Sequence, residues 1–318
     1  MIGITIGDPK GIGPEVIIKS LEKISKDILE NIVIIGSKRV FELYADILDS
    51  GVKFCHFDNK TPGYVCVEDI GVEINDLDIP EEVCAKLSLL SIDRSIQLAK
   101  NRKISSIING PVSKERISRI FPGFRGHTEY YAKSFGVNNY NMAFYSNEMK
   151  IVLLTDHIPL KEVFNYISYE NLKKTILNAY NWVKELDDID SPRLGICGLN
   201  PHAGEKGSIG VEENIIRRVI SELTFEVIGP IPPDTAFLEY KKQNLNCLIA
   251  LYHDQGLIGF KLLHFKDGIN VTIGLPFTRC SPDHGTAFDI AGKGVADPTS
   301  MLEAIKYVLR IESKVKRN

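Results

Sequence analysis

Seven histidines occur in the 318 residues, at positions 56, 127, 157, 202, 253, 264 and 284. Three of them follow apolar, strand-like runs by a few residues: Leu153-Leu154-Thr155-Asp156-His157, Cys197-Gly198-Leu199-Asn200-Pro201-His202 and Ala250-Leu251-Tyr252-His253. In a parallel sheet the carboxyl ends of the strands share one edge, and ligands bind along it. Histidines far apart in sequence can therefore meet there. Three neutral imidazoles suit zinc, cobalt, nickel or a similar divalent ion, and they leave a position open for water or substrate. Asp156, Glu205 and Asp254 stand beside them as acceptors for an imidazole N–H. On spacing alone, a shared ion and three separate strand-end roles both remain open.

Two glycine-rich segments are the other candidates. Gly7-Asp8-Pro9-Lys10-Gly11-Ile12-Gly13-Pro14-Glu15 follows the first apolar run, and Pro14 suits the first position of a helix. Such a turn can present backbone N–H groups to an anion, or it is simply a tight strand-to-helix connection. It is neither a Walker A loop nor G-x-G-x-x-G. The second segment, Ser281-Pro282-Asp283-His284-Gly285-Thr286-Ala287-Phe288-Asp289-Ile290-Ala291-Gly292-Lys293-Gly294, collects small residues, one His and two Asp in a predicted loop. Small residues admit a planar ring or a ribose close to the backbone, and Asp accepts hydrogen bonds from ribose hydroxyls. Lys261 and Arg279 offer positive charge to a phosphate or carboxylate.

The elements that must position these residues alternate. Near-continuous apolar runs at 2–7, 31–36, 104–109, 150–154, 194–199, 247–252 and 269–274 read as strands buried on both faces. Helical patterns fill 80–100, 169–186 and 211–223, with Ser168 as an N-cap and Glu212 and Glu213 opening the last. Strand then helix, repeated, predicts an α/β fold around a mostly parallel sheet. No Gly/Ser- or Pro-rich linker marks a boundary.

Composition excludes several classes. With 38 basic and 41 acidic residues the net charge is -3, which argues against nucleic acid as a partner. The one basic cluster, Lys314, Lys316 and Arg317, reads as a solvated tail. No apolar run approaches a membrane span, and the N-terminus looks like a strand rather than a signal peptide. The six scattered cysteines lack C-x-x-C spacing and read as reduced thiols of a cytoplasmic protein.

Taken together the motifs have a counterpart. The segments at 7–15, Gly126-His127-Thr128-Glu129, Asp156-His157-Ile158-Pro159-Leu160 and Asn200-Pro201-His202-Ala203-Gly204-Glu205 occur in order. Pro233-Asp234-Thr235-Ala236-Phe237, Tyr252-His253-Asp254-Gln255-Gly256 and the 281–294 loop follow. This colinear set resembles the 4-hydroxythreonine-4-phosphate dehydrogenase family of pyridoxal phosphate biosynthesis over nearly the whole chain. The resemblance implies an isocitrate/isopropylmalate-dehydrogenase-like fold, with two α/β domains flanking a cleft. The expected domains are 1–115 plus 270–318, carrying the nucleotide loop, and 116–269, carrying the metal histidines and dimer contacts.

The resemblance further implies a homodimer whose active site draws on both subunits, NAD or NADP as cofactor, and one divalent ion (zinc, cobalt or magnesium) per site. It places the metal on His157, His202 and His253. Substrate contacts fall on His127, Thr128, Lys261, Asn270 and Arg279, and cofactor contacts on Gly285, Thr286, Ala287 and Asp289. Asp234 and Asp254 are the candidates for proton transfer or for orienting a histidine. The implied reaction oxidises 4-phosphohydroxy-L-threonine to 2-amino-3-oxo-4-phosphooxybutanoate, a β-keto acid that loses carbon dioxide to give 3-amino-2-oxopropyl phosphate. Two departures stand out: Lys10 replaces a small residue, and Asp156 stands where Thr is usual. An extra carboxylate there can bond the imidazole or repel an anionic substrate, which keeps open the same chemistry on D-erythronate or D-threonate 4-phosphate. A binding protein that kept the fold without turnover is the third reading, and retention of the histidines, Lys261 and Arg279 weighs against it.

Overall fold

The computed structural model describes residues 1–315, so Lys316 and Arg317 of the basic cluster lie outside the described residues. In chain order the strands are β1 (Ile2–Thr5), β2 (Ile32–Gly36), β3 (Phe54–His56), β4 (Val65–Asp69), β5 (Ser106–Asn109), β6 (Asn141–Tyr145), β7 (Lys150–Leu153), β8 (Leu194–Cys197), β9 (Val227–Ile231), β10 (Cys247–Ala250), β11 (Ile269–Ile273) and β12 (Thr278–Pro282). The helices are α1 (Gly13–Leu21), α2 (Lys26–Leu29), α3 (Lys38–Ile47), α4 (Glu81–Lys100), α5 (Lys114–Ile120), α6 (His127–Ser134), α7 (Val163–Tyr166), α8 (Tyr169–Asp187), α9 (Glu213–Ser221), α10 (Ala236–Lys242), α11 (His253–His264) and α12 (Thr299–Val315).

Two compact units result: Met1–Gly136 together with the chain from Leu275 onward, and Val137–Gly274. Residues 116–136, which the motif order gives to the second domain, pack in the first unit, and β11 packs in the second. His127 and Thr128 therefore belong with Arg279, whereas Asn270 belongs with the histidines.

The first unit holds strands in the order β3-β4-β2-β1-β5-β12, every neighbouring pair parallel. All residues of β1, β2 and β5 are buried, as continuous apolar runs predict for strands covered on both faces. The long helix α4 opens on Glu81 and Glu82, which suit the positive end of the helix dipole. It buries Cys84, Leu87, Ser88, Ser91, Ile92, Ser95 and Ile96 along one stripe.

The second unit is ordered β11-β6-β7-β10-β8-β9. Only β6 runs antiparallel to its neighbours; β7, β10, β8 and β9 are parallel. Ser168 caps α8 by accepting the Asn171 amide at 3.3 Å. The core under β7 and β10 gathers Ile151, Leu153, Leu248, Ala250, Leu257 and Phe260. All seven expected strands and all three expected helices are present. Five strands were not flagged by the apolar pattern: β3 is short, β12 is polar with Arg279 inside it, β9 is interrupted by Gly-Pro, β4 ends on Glu68-Asp69 and β6 opens on Asn141.

Candidate active site

Strand order explains how the second unit assembles its histidines. β10 lies between β7 and β8 and is parallel to both, so residues leaving the three carboxyl ends emerge side by side. His253 leaves the central strand and opens α11; His157 and His202 leave its two neighbours. The rings of His157 and His253 stand 5.3 Å apart between centroids. Gln255 ties the edge together: its Oε1 accepts the Leu251 amide at 2.6 Å and its Nε2 donates to the Gly198 carbonyl at 2.8 Å. Thr155 adds a hydroxyl bond to the Leu251 carbonyl at 2.7 Å.

The Asp254 carboxylate takes Nδ1 of His253 at 2.7 Å. A carboxylate can only accept here, so this bond puts the ring proton on Nδ1 and leaves the Nε2 lone pair for a ligand. Asp156 instead accepts the backbone amide of His157, at 2.7 Å. The departure at position 156 therefore has a local backbone role. Asp234 is exposed ahead of α10, and Lys261 and Asn270 are half-buried on α11 and β11.

His202 sits on an unusual loop. Residues His202, Ala203, Gly204, Glu205 and Lys206 all have positive φ, from 41° to 74°. Non-glycine residues adopt this left-handed conformation at a cost of roughly 1 kcal/mol each, and such segments persist only where surroundings hold them. Glu213, fully buried, does the holding: its carboxylate accepts the amides of Leu199 (2.9 Å) and Asn200 (2.7 Å) and the Asn200 side chain. Burial pushes the Glu213 pKa up, but these N–H donors outweigh it and hold the pKa below the ordinary carboxylate range. A Cβ on Gly204 would collide with Glu213 Oε2 and with the Gly210 carbonyl, so only glycine fits there.

The donor set is right for a divalent ion, and the structure brings two of its three members together. Among the described residues no group of three or more His, Cys, Asp or Glu side chains is gathered closely enough to hold an ion, so His202 does not complete the pair as its loop stands.

The first unit contains a cationic cluster. Arg279, on β12, is 2% exposed; its Nε donates to Asn109 Oδ1 at 2.8 Å and its Nη1 to Thr128 Oγ1 at 3.4 Å. Asn109 is itself fixed, donating to Thr5 Oγ1 and to the Tyr131 hydroxyl, which pairs with Ser95. Burial pulls the Arg279 pKa down to about 10, so the guanidinium stays charged at neutral pH. His127 stacks beside Tyr131 at the start of α6, and its buried Nε2 has no partner among the described residues. Burial, then the charges of Arg279 and Lys114, hold its pKa well below the ordinary imidazole value, so it is neutral. Lys114 reaches this spot: a Cβ on Gly126 would lie 3.1 Å from its Cε and 3.4 Å from its Nζ.

Among the described residues, the loop after β12 carries an unpartnered ring nitrogen beside open backbone. His284 Nδ1 donates to the Gly285 carbonyl at 3.1 Å, leaving its buried Nε2 as an acceptor without a partner among the described residues. A side chain on Gly285 would meet nothing within 4 Å, so the backbone there is open to approach. Thr286 and Ala287 are half-buried and Asp289 is exposed. The amides of the Gly7–Glu15 turn, by contrast, are spent internally. Those of residues 8, 10, 11 and 12 donate to Pro111, Asp8 Oδ1, the Asp8 carbonyl and Thr286 respectively. That turn is a strand-to-helix connection rather than an anion cradle.

Asn109, Lys114, Glu213 and His284 were not assigned roles from sequence. Asn109 carried the one usable signal, an amide residue at the carboxyl end of a strand-like run.

Histidines at the carboxyl ends of parallel strands in one unit, and a buried arginine and an open loop in the other, define an α/β protein with candidate sites at its strand ends. The family described as pyridoxal phosphate biosynthetic protein PdxA matches residues 28–308, and the chain belongs to that family. It is 37% identical to a 4-hydroxythreonine-4-phosphate dehydrogenase of Sulfurihydrogenibium sp. (strain YO3AOP1), over 98% of both chains. It is 36% identical to a D-threonate 4-phosphate dehydrogenase of Cupriavidus necator, over 96% of this chain and 95% of that one. The crystal structure of 4-hydroxythreonine-4-phosphate dehydrogenase from Klebsiella pneumoniae superposes with a TM-score of 0.85 at 32% identity, covering 98% of this chain and 99% of that one.

Proposed function

We propose that the protein oxidises 4-phosphohydroxy-L-threonine at its C3 hydroxyl with NAD or NADP, giving 2-amino-3-oxo-4-phosphooxybutanoate, which decarboxylates to 3-amino-2-oxopropyl phosphate. The observation that carries this reading is the His157–His253 pair at adjacent parallel strand ends, in a chain that matches 4-hydroxythreonine-4-phosphate dehydrogenases end to end. In this reading His157, His202 and His253 hold one divalent ion, zinc, cobalt or magnesium. Bound there, such an ion supplies Lewis acidity toward the hydroxyl and the resulting ketone, and the nicotinamide supplies the hydride acceptor.

The chain's own part is orientation and charge. Asp254 fixes the tautomer of His253 and so acts as an orienting group; Asp234 is the remaining candidate for taking the hydroxyl proton. Arg279, charged and buried, binds an anionic group of the substrate, with Thr128 and neutral His127 as hydrogen-bonding partners and Lys261 and Asn270 as further contacts. Gly285, Thr286, Ala287 and Asp289 receive the cofactor. The reading includes a homodimer, supported by the exposed apolar stripe along α11 and its C-cap: Ile258 (72% exposed), Leu262 (83%) and Phe265 (72%) recur at helical spacing. Six buried, unbridged cysteines support a cytoplasmic setting, and no helix among the described residues is long and apolar enough to cross a membrane.

D-threonate or D-erythronate 4-phosphate is the second reading, favoured by the D-threonate 4-phosphate dehydrogenase among the relatives. Following NAD(P)H formation with each compound separately decides between them. Turnover of 4-phosphohydroxy-L-threonine at the highest kcat/KM is expected. Turnover of a sugar-acid phosphate alone would move the chain to the second reading.

A further inference from the structure

The Gly7–Glu15 turn has no part in the proposed chemistry, yet it is attached at three points to the loop that follows β12. Near the start of the loop, the Ile12 amide donates to the Thr286 carbonyl at 2.8 Å, and a Cβ on Gly11 would stand 2.9 Å from that same oxygen. In the middle, the Arg116 guanidinium lies over the Phe288 ring, 4.1 Å from its centroid. Both carboxylate oxygens of buried Asp8 hold that guanidinium, at 3.1 and 3.0 Å. At the far end, fully buried Glu15 accepts the amides of Ala296 (2.8 Å) and Gly294 (3.4 Å). Its partner Lys19, 2.8 Å away, donates to the carbonyls of Gly294 (2.8 Å) and Ala296 (2.9 Å). The loop between has Ala287 at φ 40°, a left-handed value that a residue with a Cβ rarely adopts.

We propose that this turn is a clamp that holds the loop in its cofactor-binding conformation, with Lys19 and Arg116 as positioning residues. The inference rests on the reading that residues 285–289 receive the nicotinamide cofactor. A free loop must be ordered when its ligand binds, and that entropy is subtracted from affinity; a loop ordered beforehand avoids the loss. The clamp therefore acts on cofactor affinity and leaves the chemical step alone.

The test uses Lys19→Met and Arg116→Lys in the full chain, each detaching one point, with Asp289→Ala as a control within the loop. NADH and NADPH are titrated by fluorescence against the parent protein, and the tighter of the two against each variant. Amide hydrogen exchange is followed over 283–297. The clamp predicts that each variant weakens cofactor binding about tenfold and speeds exchange in the loop. It also predicts a raised KM for the cofactor, kcat at saturation within about threefold of the parent, and unchanged metal content. Should Lys19→Met fail to fold, Arg116→Lys decides alone. Unchanged affinity in the clamp variants, while Asp289→Ala weakens binding, would overturn the clamp, even if melting temperatures fell. Unchanged affinity in Asp289→Ala as well would remove the cofactor reading beneath it, and the clamp with it.

Discussion

Asp254 determines what His253 can do, because a carboxylate 2.7 Å from Nδ1 leaves the opposite nitrogen bare. Replacing it by Asn keeps the shape and weakens that control. Asp254→Asn should lower metal affinity about 10- to 100-fold, the usual cost of losing a hydrogen-bonded acceptor behind a ligating histidine. Metal retained after dialysis against a graded chelator measures it, and unaltered retention would deny Asp254 the role. At the other charged spot, His127 carries a pKa held well below its ordinary value by burial and then by Arg279 and Lys114. The sign follows from linkage: on acidification the unfolded chain takes up this proton first, near its ordinary pKa of about 6.5, while folded His127 stays neutral. Its contribution to stability is therefore complete above about pH 6.5 and is lost as pH falls toward the depressed folded value. Denaturant titrations between pH 7.5 and 5 should show this slope reduced in His127→Asn; an identical slope would place the proton uptake elsewhere. The strand-end positions of His157, His202 and His253 were legible in sequence, since they stand three to five residues past the ends of β7, β8 and β10. Their bonds were not: Asp156 precedes its histidine and accepts a backbone amide, Asp254 follows its histidine and takes a ring nitrogen, and adjacency in sequence does not say which.

Among the elements, the stretch between β8 and α9 is the least ordinary, and it carries His202. Its left-handed backbone is fixed by Glu213, which enters from the first turn of α9. Glu213→Gln retains the shape but replaces one acceptor oxygen with a donor facing amide N–H groups. A cost of about 1–3 kcal/mol is expected from a buried hydrogen-bond mismatch of this kind. Equilibrium unfolding measures that loss, and a parallel metal titration should show weakened binding as His202 loses its platform. Stability equal to the parent would contradict the role given to Glu213. The sequence announced the elements on either side of this loop through apolar period and the acidic start of a helix. It could not announce the loop itself, since six successive positive φ angles, four of them at non-glycine residues, run against local preference and depend on a tertiary contact. β12 escaped for the reverse reason. Its buried Arg279 breaks the apolar pattern, and what makes the strand viable is the Asn109 side chain on neighbouring β5.

For the whole molecule, the order of motifs along the chain was enough to give family and fold class, because seven short segments in one order are specific where any one alone is not. Assembly is argued from surface: Leu262 is 83% exposed on a helix whose opposite face is core. Leu262→Glu should convert a dimer to monomers, read by sedimentation velocity, and a variant that sediments like the parent would locate the interface elsewhere. The central claim is that one ion on three histidines is required for dehydrogenation. Its most direct test measures metal content and NAD(P)H formation together, for the parent and for His202→Ala, with chelator and after adding the ion back. The account predicts one ion per chain in the parent, chelator-sensitive turnover restored by divalent metal, and neither ion nor turnover in His202→Ala. Metal-free protein turning over at the parent's rate would contradict it.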